Sequence, residues 1–194
     1  MGTSIKKAVL ERIFPFFNTF VINFKNHIYY LIARSCTMSQ NDLLQEALAY
    51  AQKTRFATLN YVRQDNAPVS RAMGSFAFDG PKVVFSSQKE AAKVSAIKSN
   101  KRISFFFEHE NQELASWKSV LAIGNAELVE EKQEKDRVAA ILALRNPRFK
   151  ERIDKGELDK VAIFSLKTDE LQYLDRAKGP AGNTIIKIEN KTEL

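Results

Sequence analysis

The chain has 194 residues, 44% hydrophobic and 27% charged, a composition that supports one folded domain with a sizeable core and excludes a disordered or fibrous chain. The net charge of +7 invites a nucleic-acid reading, but residues 1–37 hold Lys6, Lys7, Arg12, Lys25 and Arg34 against Glu11 alone, so +4 of it lies there and the rest is only mildly basic. One cysteine, Cys36, and two histidines, His27 and His109, exclude an intrachain disulfide and a Cys/His zinc site, and no metal is expected.

Residues 13–33 are aromatic and apolar, yet Pro15, Asn18, Asn23, Lys25, Asn26 and His27 interrupt them, so they do not form a clean membrane span. They also lack the small-residue cleavage site of a secretory signal. Met38-Ser39-Gln40-Asn41-Asp42 reads like a protein start followed by a helix cap. The expected organisation is therefore an N-terminal extension over 1–37, upstream of the functional chain or anchoring it, a folded domain over 38–178 and a tail over 179–194. A cytoplasmic location is expected.

Leu43, Leu44, Ala47, Leu48 and Ala51 recur at helical spacing, which predicts a helix over 40–53 capped at Asn41 or Asp42. Residues 55–62 read as a strand, and Asp65-Asn66 as a turn. Two further strands over 68–78 and 82–87 flank Asp79-Gly80-Pro81, a strong turn signal. Ser87 followed by Glu90 matches a capping box, which predicts a helix starting near Ser87 with Lys93 at most about two turns in. Strands follow over 101–108 and 117–130, and then a helix over 131–145 that Pro147 stops. Residues 161–166 and 170–174 read as closing strands, Gly179-Pro180-Ala181-Gly182 as a linker, and 184–188 as a short final strand. Short strands around few helices suit a closed antiparallel barrel.

Three polar residues fall where a phosphate could be held. Arg71 lies in a strand, Ser87 at the end of the next, and Lys93 early in the helix after it. A helix N-terminus offers free N–H groups and a positive dipole end, and a neighbouring cation completes an anion site. Each residue also has an ordinary explanation: an exposed strand arginine, a solvated helix lysine, a cap serine.

The set resembles the FMN-binding split β-barrel family, the relatives of pyridoxamine 5′-phosphate oxidase, over roughly residues 40–176. The matching elements are Arg71, then Phe85-Ser86-Ser87, then Lys93, then Asn100-Lys101-Arg102-Ile103-Ser104, and the strand from Trp117 to Leu128 with Gly124-Asn125-Ala126-Glu127. The resemblance implies a mainly β fold with flanking helices: a six-stranded antiparallel Greek-key split β-barrel that forms a homodimer with cofactor sites at the interface. It implies FMN as the cofactor, with Arg71 and Lys93 on its phosphate and Ser87 adding a contact. Residues 71–74 and 85–88, among them Ala72, Met73, Gly74, Phe85 and Ser86, would run along the flavin and its ribityl chain. Trp117, Lys118 and Ser119 would reach the site from the partner subunit, although the family often has Gln where Ser119 stands. Phe105 to Phe107 and Trp117 are candidate interface residues.

The activity implied is that of an FMN-dependent oxidoreductase with a small-molecule electron donor or acceptor, and with neither nucleic acid nor membrane as partner. The C-terminal substrate-binding segment of true pyridoxamine phosphate oxidases, with its Arg and closing Pro, has no match in Gly179–Leu194. Alternatives are a non-catalytic flavin-binding or stress module, and a deazaflavin- or haem-binding member of the same superfamily.

Overall fold

Eight strands and four α-helices are built from residues 39–189, the part of the chain that the computed structural model describes. The expectation for residues 1–37 lies outside that range. Helix α1 (Gln40–Gln52) is capped by Ser39 rather than by Asn41 or Asp42. The Asp42 N–H donates to Ser39 Oγ at 3.1 Å, and the Ser39 N–H donates back to the Asp42 carboxylate at 3.2 Å. This reciprocal box satisfies two donors that the first turn leaves over.

The strands are β1 (Ala57–Val62), β2 (Pro68–Met73), β3 (Phe76–Asp79), β4 (Lys82–Gln88), β5 (Arg102–Glu108), β6 (Lys118–Leu128), β7 (Val161–Asp175) and β8 (Asn183–Lys187). They form one antiparallel sheet in the order β2-β1-β5-β6-β7-β4-β3, with β8 also on β7. The two ends of that path, β2 and β3, are joined in the chain by Gly74 and Ser75 alone. At about 3.3 Å per residue, edges so closely tethered force the sheet to curl back on itself. The Ser86 N–H donating to Ser75 O at 3.1 Å extends the β3–β4 ladder by one rung, after which β2 pairs with β1 and β4 with β7. Beyond it, the end of β2 and the end of β4 diverge and leave a seam.

The fold is thus a curled antiparallel half-barrel with flanking helices, of eight strands rather than the expected six. The apolar run over 68–78 breaks at Gly74-Ser75 into two strands, and the final strand joins the sheet as β8. The two expected closing strands fuse into β7, which is 15 residues long. Its first half pairs with β4 and its second half with β8, while β6 follows its other side. The β6–β7 register shifts at Ile123/Gly124. Gly124 is required there, because a Cβ would lie 2.1 Å from the Lys167 carbonyl oxygen.

Alternation along the strands separates two apolar layers. Inside the barrel, Leu59, Phe76, Phe85, Phe105, Phe107, Phe164 and Leu171 are each at most 1% exposed. On the outside of β3, β4 and β7, Ala77, Val84 and Ile163 pack under α3 (Lys132–Arg145) and α4 (Pro147–Asp154) through Val138, Leu142 and Phe149. The other half of the outer surface differs. The ladder register aligns Thr58, Phe106, Leu121, Gln172 and Ile185 across five strands, and these remain half-exposed or exposed. Of the three phenylalanines expected at an interface, Phe105 and Phe107 belong to the core because they point inward; Phe106 alone faces out.

An ionic cluster ties α1 to β6 and β7. Asp175, 2% exposed, pairs with Lys118 at 2.8 Å. The Glu46 carboxylate accepts from Tyr173 Oη at 2.9 Å and from Lys178 Nζ at 2.6 Å. The Lys178 bond pulls the Glu46 pKa below the usual carboxylate range, against the opposing effect of burial. Glu46→Ala is expected to lower unfolding stability by about 1–2 kcal/mol, since it takes the acceptor from the Tyr173 phenol and one of its anions from Lys178. Urea unfolding checks this; an unchanged midpoint would show that the cluster only decorates the surface.

Candidate functional site

Val69, Arg71 and Met73 share one face of β2 by alternation. Val69 and Met73 pack against the inner core, so Arg71 also stands on the inner face, but exposed at the barrel mouth. Helix α2 (Ala92–Ser99) crosses that mouth, and Lys93 is its second residue. The Lys93 ammonium lies 3.5 Å from Met73 Sδ. Burial first, and repulsion from Arg71 second, push its pKa below that of an ordinary lysine. The Arg71 guanidinium donates to the Ser70 carbonyl at 2.9 Å. Neither cation is in an ion pair among the described residues.

Ser87 stands differently from the expectation. It lies within β4, opposite Ala162 of β7, and is buried. The capping box with Glu90 does not form, because a six-pair ladder with β7 continues the strand through Gln88 and α2 begins only at Ala92. The N-cap position is Ala91, with no side-chain cap. The Val94 N–H is taken by the Ala91 carbonyl at 2.8 Å, while the rest of the first turn and the positive end of the dipole meet no side-chain cap. Ser87 shares its strand face with Phe85, the inner one, and Ser86 faces outward, where its hydroxyl meets that of Ser75 at 2.5 Å.

One lip of the seam is thus Arg71, Ala72, Met73 and Gly74, and the other is the end of β4 from Phe85 to Gln88, with Lys93 over the mouth. Phe85 itself is sealed in the core, and Ala72 turns outward, so each offers only backbone to the seam. A phosphate fits this donor set: two cations close enough to repel, no facing acid, and an uncapped helix start.

The Trp117–Ser119 segment is not brought to the seam within one chain. It begins β6, which β1 and β5 separate from β2, an arc of about 14 Å at the usual strand spacing. Lys118 is held by Asp175, and its pKa is raised by that bond. Ser119 is buried against the ladder partners Glu108 and Leu174. His109 packs edge-on against Tyr50, with Nε2 at 3.2 Å from the Tyr50 carbonyl.

The outer side of the β4 end opens on a cleft of about 220 Å³ that Ser75, Ser86 and Gln88 share with Asn146, Arg148 and Arg152. Sequence reasoning missed this wall, because Pro147 reads as a helix stop. It is the first residue of α4, and Asn146 caps that helix by accepting from the Phe149 N–H at 3.3 Å. Asn followed by Pro is the signal that was available: a cap residue and then the residue best suited to a first helical position.

Known proteins with this architecture are numerous. A haem-binding protein from Mycobacterium smegmatis superposes with a TM-score of 0.64 at 16% identity, over 78% of this chain and 59% of that one. This chain therefore spans little more than half the length of that relative. General stress protein 26 from Bacillus anthracis gives 0.57 at 16% identity, over 75% of this chain and 98% of the other. A protein related to general stress protein 26, of the pyridoxinephosphate oxidase family, from Clostridium acetobutylicum gives 0.57 at 16%, over 78% and 97%. At such identities the likeness is one of fold. No curated protein matches the sequence. The family described as pyridoxamine 5′-phosphate oxidase matches residues 44–173, about two thirds of the chain. That stretch runs from α1 into β7 and takes in both lips of the seam, and on this ground the chain belongs to the pyridoxamine 5′-phosphate oxidase family.

Proposed function

We propose that the seam binds FMN, with the phosphate on Arg71 and Lys93, and that the protein is an FMN-dependent oxidoreductase acting on a small-molecule donor or acceptor. The observation that carries this reading is the acid-free cation pair beside the uncapped start of α2. Arg71 offers a planar fork and Lys93 a mobile point charge, a combination suited to a phosphate monoester. The backbone of Met73 and Gly74 and that of Ser86 and Ser87 would border the rest of the cofactor. When bound, the flavin supplies the two-electron chemistry, and the protein supplies binding and orientation.

The site also motivates a homodimer. The half-exposed row through Phe106, Leu121 and Ile185 is an apolar face suited to a second copy, and a second copy is how Trp117–Ser119 would reach a seam. A monomer by light scattering that still binds one FMN per chain would contradict this. A haem role, as in the Mycobacterium smegmatis relative, has less support, since the histidine among the described residues, His109, is engaged with Tyr50. No helix among the described residues is long and apolar enough to cross a membrane, and the reading carries a cytoplasmic location with it.

Reconstitution tests the proposal. Apoprotein mixed with FMN and passed through gel filtration should retain one flavin per chain and then oxidise NADH or NADPH. Retained flavin without turnover of any donor would favour a storage module. Retention of haem in place of flavin would overturn the assignment.

The depressed Lys93 pKa gives a pH dependence with a definite sign. The phosphate is fully ionised above neutrality, so the lysine is the group whose charge changes the site. Raising pH through the Lys93 pKa removes one of the two cations, so FMN affinity should fall at alkaline pH. The fall should begin sooner than an ordinary lysine near 10.4 would allow, and should disappear in Lys93→Arg. Titrations across the alkaline range check this; a decline that persists unchanged in Lys93→Arg would show that another group is responsible.

A further inference from the structure

The cleft on the outer side of β4 has a lining that nothing about the flavin accounts for. Its walls carry Arg148 and Arg152 from successive turns of α4, and no carboxylate lines it. Neither arginine is in an ion pair among the described residues; Arg152 is felt by the Glu157 carboxyl, whose own partner is Lys160 at 2.9 Å. At the floor, the Ser75 and Ser86 hydroxyls share a single hydrogen bond. Two hydroxyls bring two protons, so one donor is left over beside a serine that is 6% exposed. Asn146 spends its carbonyl on the Phe149 N–H, which leaves its amide N–H groups without an acceptor among the described residues. Four groups that donate therefore line one opening, and two of them are cationic.

The rest of the lining is the end of β4, with Ser87 and the exposed Gln88, and the apolar pair Phe149 and Val161, each 3% exposed. A cavity of about 150 Å³ holds benzene, so a cleft of about 220 Å³ has room for one ring with a substituent. We infer that this cleft binds a small organic acid, with its carboxylate or phosphate on Arg148 and Arg152 and its apolar body against Phe149 and Val161. The site is separate from the seam cations, which stand on the opposite face of the sheet, and it does not depend on the flavin assignment. Ser86 and Ser87 are adjacent in β4 and face opposite sides of it, so a ligand in the cleft would lie one strand thickness from the seam.

Isothermal titration of the full chain with benzoate, phenyl phosphate and the neutral isostere benzamide tests this. Benzoate or phenyl phosphate should bind saturably, and at least tenfold more tightly than benzamide. Arg148→Gln and Arg152→Gln should each weaken the acid at least fivefold, while the corresponding Lys variants retain part of the affinity and show that charge is the cause. FMN affinity, measured in parallel, should stay within twofold in all four variants, and Arg71→Ala should leave benzoate affinity unchanged. The inference is overturned if neither acid binds saturably, if benzamide binds as well as benzoate, if the Gln variants bind like the parent, or if Arg71→Ala alone abolishes acid binding. Failure of FMN to bind, with acid binding intact, would count against the flavin reading and leave this site standing.

Discussion

Arg71→Ala is expected to weaken FMN binding by about 1.5–3 kcal/mol, roughly 10- to 150-fold, the usual range for a lost charge-assisted hydrogen bond. The substitution removes the fork that would grip the phosphate and leaves little else altered, since the guanidinium bonds only the neighbouring Ser70 carbonyl. Melting temperature should therefore hardly change. Lys93→Ala should cost less, because an ammonium on a flexible stem is a point charge without bidentate geometry. That variant also removes the repulsion that now acts between the two cations, so apoprotein stability should hold or rise slightly. Flavin fluorescence quenching at fixed moderate salt reads both constants. An unchanged dissociation constant in Arg71→Ala would mean that the mouth of the barrel is not the phosphate site.

Phe105→Ala carries the largest expected effect on stability, about 3–5 kcal/mol. Phe105 is wholly buried, with ring centroids 5.0 Å from Phe85, 6.0 Å from Phe107 and 6.4 Å from Phe76. Phe85 in turn stacks on Phe164 at 5.2 Å. The ring therefore links strands from both halves of the curl, and its loss opens a cavity that the rigid ladder cannot close. For a domain of this size the melting temperature should fall by roughly 6–20 °C. Phe106→Ala, on the outer face of the same strand, should cost far less in a monomer and more if a second copy covers it. Thermal scans at two protein concentrations separate the two cases; equal losses for Phe105→Ala and Phe106→Ala would contradict the assignment of inner and outer faces.

The elements most legible in the sequence are those with local signals. The turn at Asp79-Gly80-Pro81 lies between β3 and β4 as expected, with Gly80 at a φ of 59°. Helical spacing located α1 and α3, and the clustered phenylalanines located β5. What the sequence hid depends on long-range pairing. The break at Gly74-Ser75 is invisible in an apolar run until β2 is seen to pair with β1 and β3 with β4. Ser87 looks like a cap because Glu90 follows at the right spacing, yet the ladder with β7, more than seventy residues on, holds it in a strand. The Lys118–Asp175 ion pair is likewise set by the pairing of β6 with β7. The Glu46–Tyr173 bond joins residues 127 apart in sequence, a separation at which no local pattern survives. Of the candidate site, Arg71, Met73 and Lys93 come together at the barrel mouth, whereas Ser86 and Ser87 stand on opposite faces of β4. The arginine-lined cleft was not legible, because it requires α4 to fold back over β4.

Parallel titrations with FMN and riboflavin measure directly whether Arg71 and Lys93 hold a phosphate. The two ligands share a ring system and a ribityl chain and differ only in the phosphate. FMN should bind at least tenfold more tightly at neutral pH, the difference should shrink as salt is raised, and Arg71→Ala should narrow it. Equal affinity for FMN and riboflavin in the parent protein would contradict the phosphate assignment.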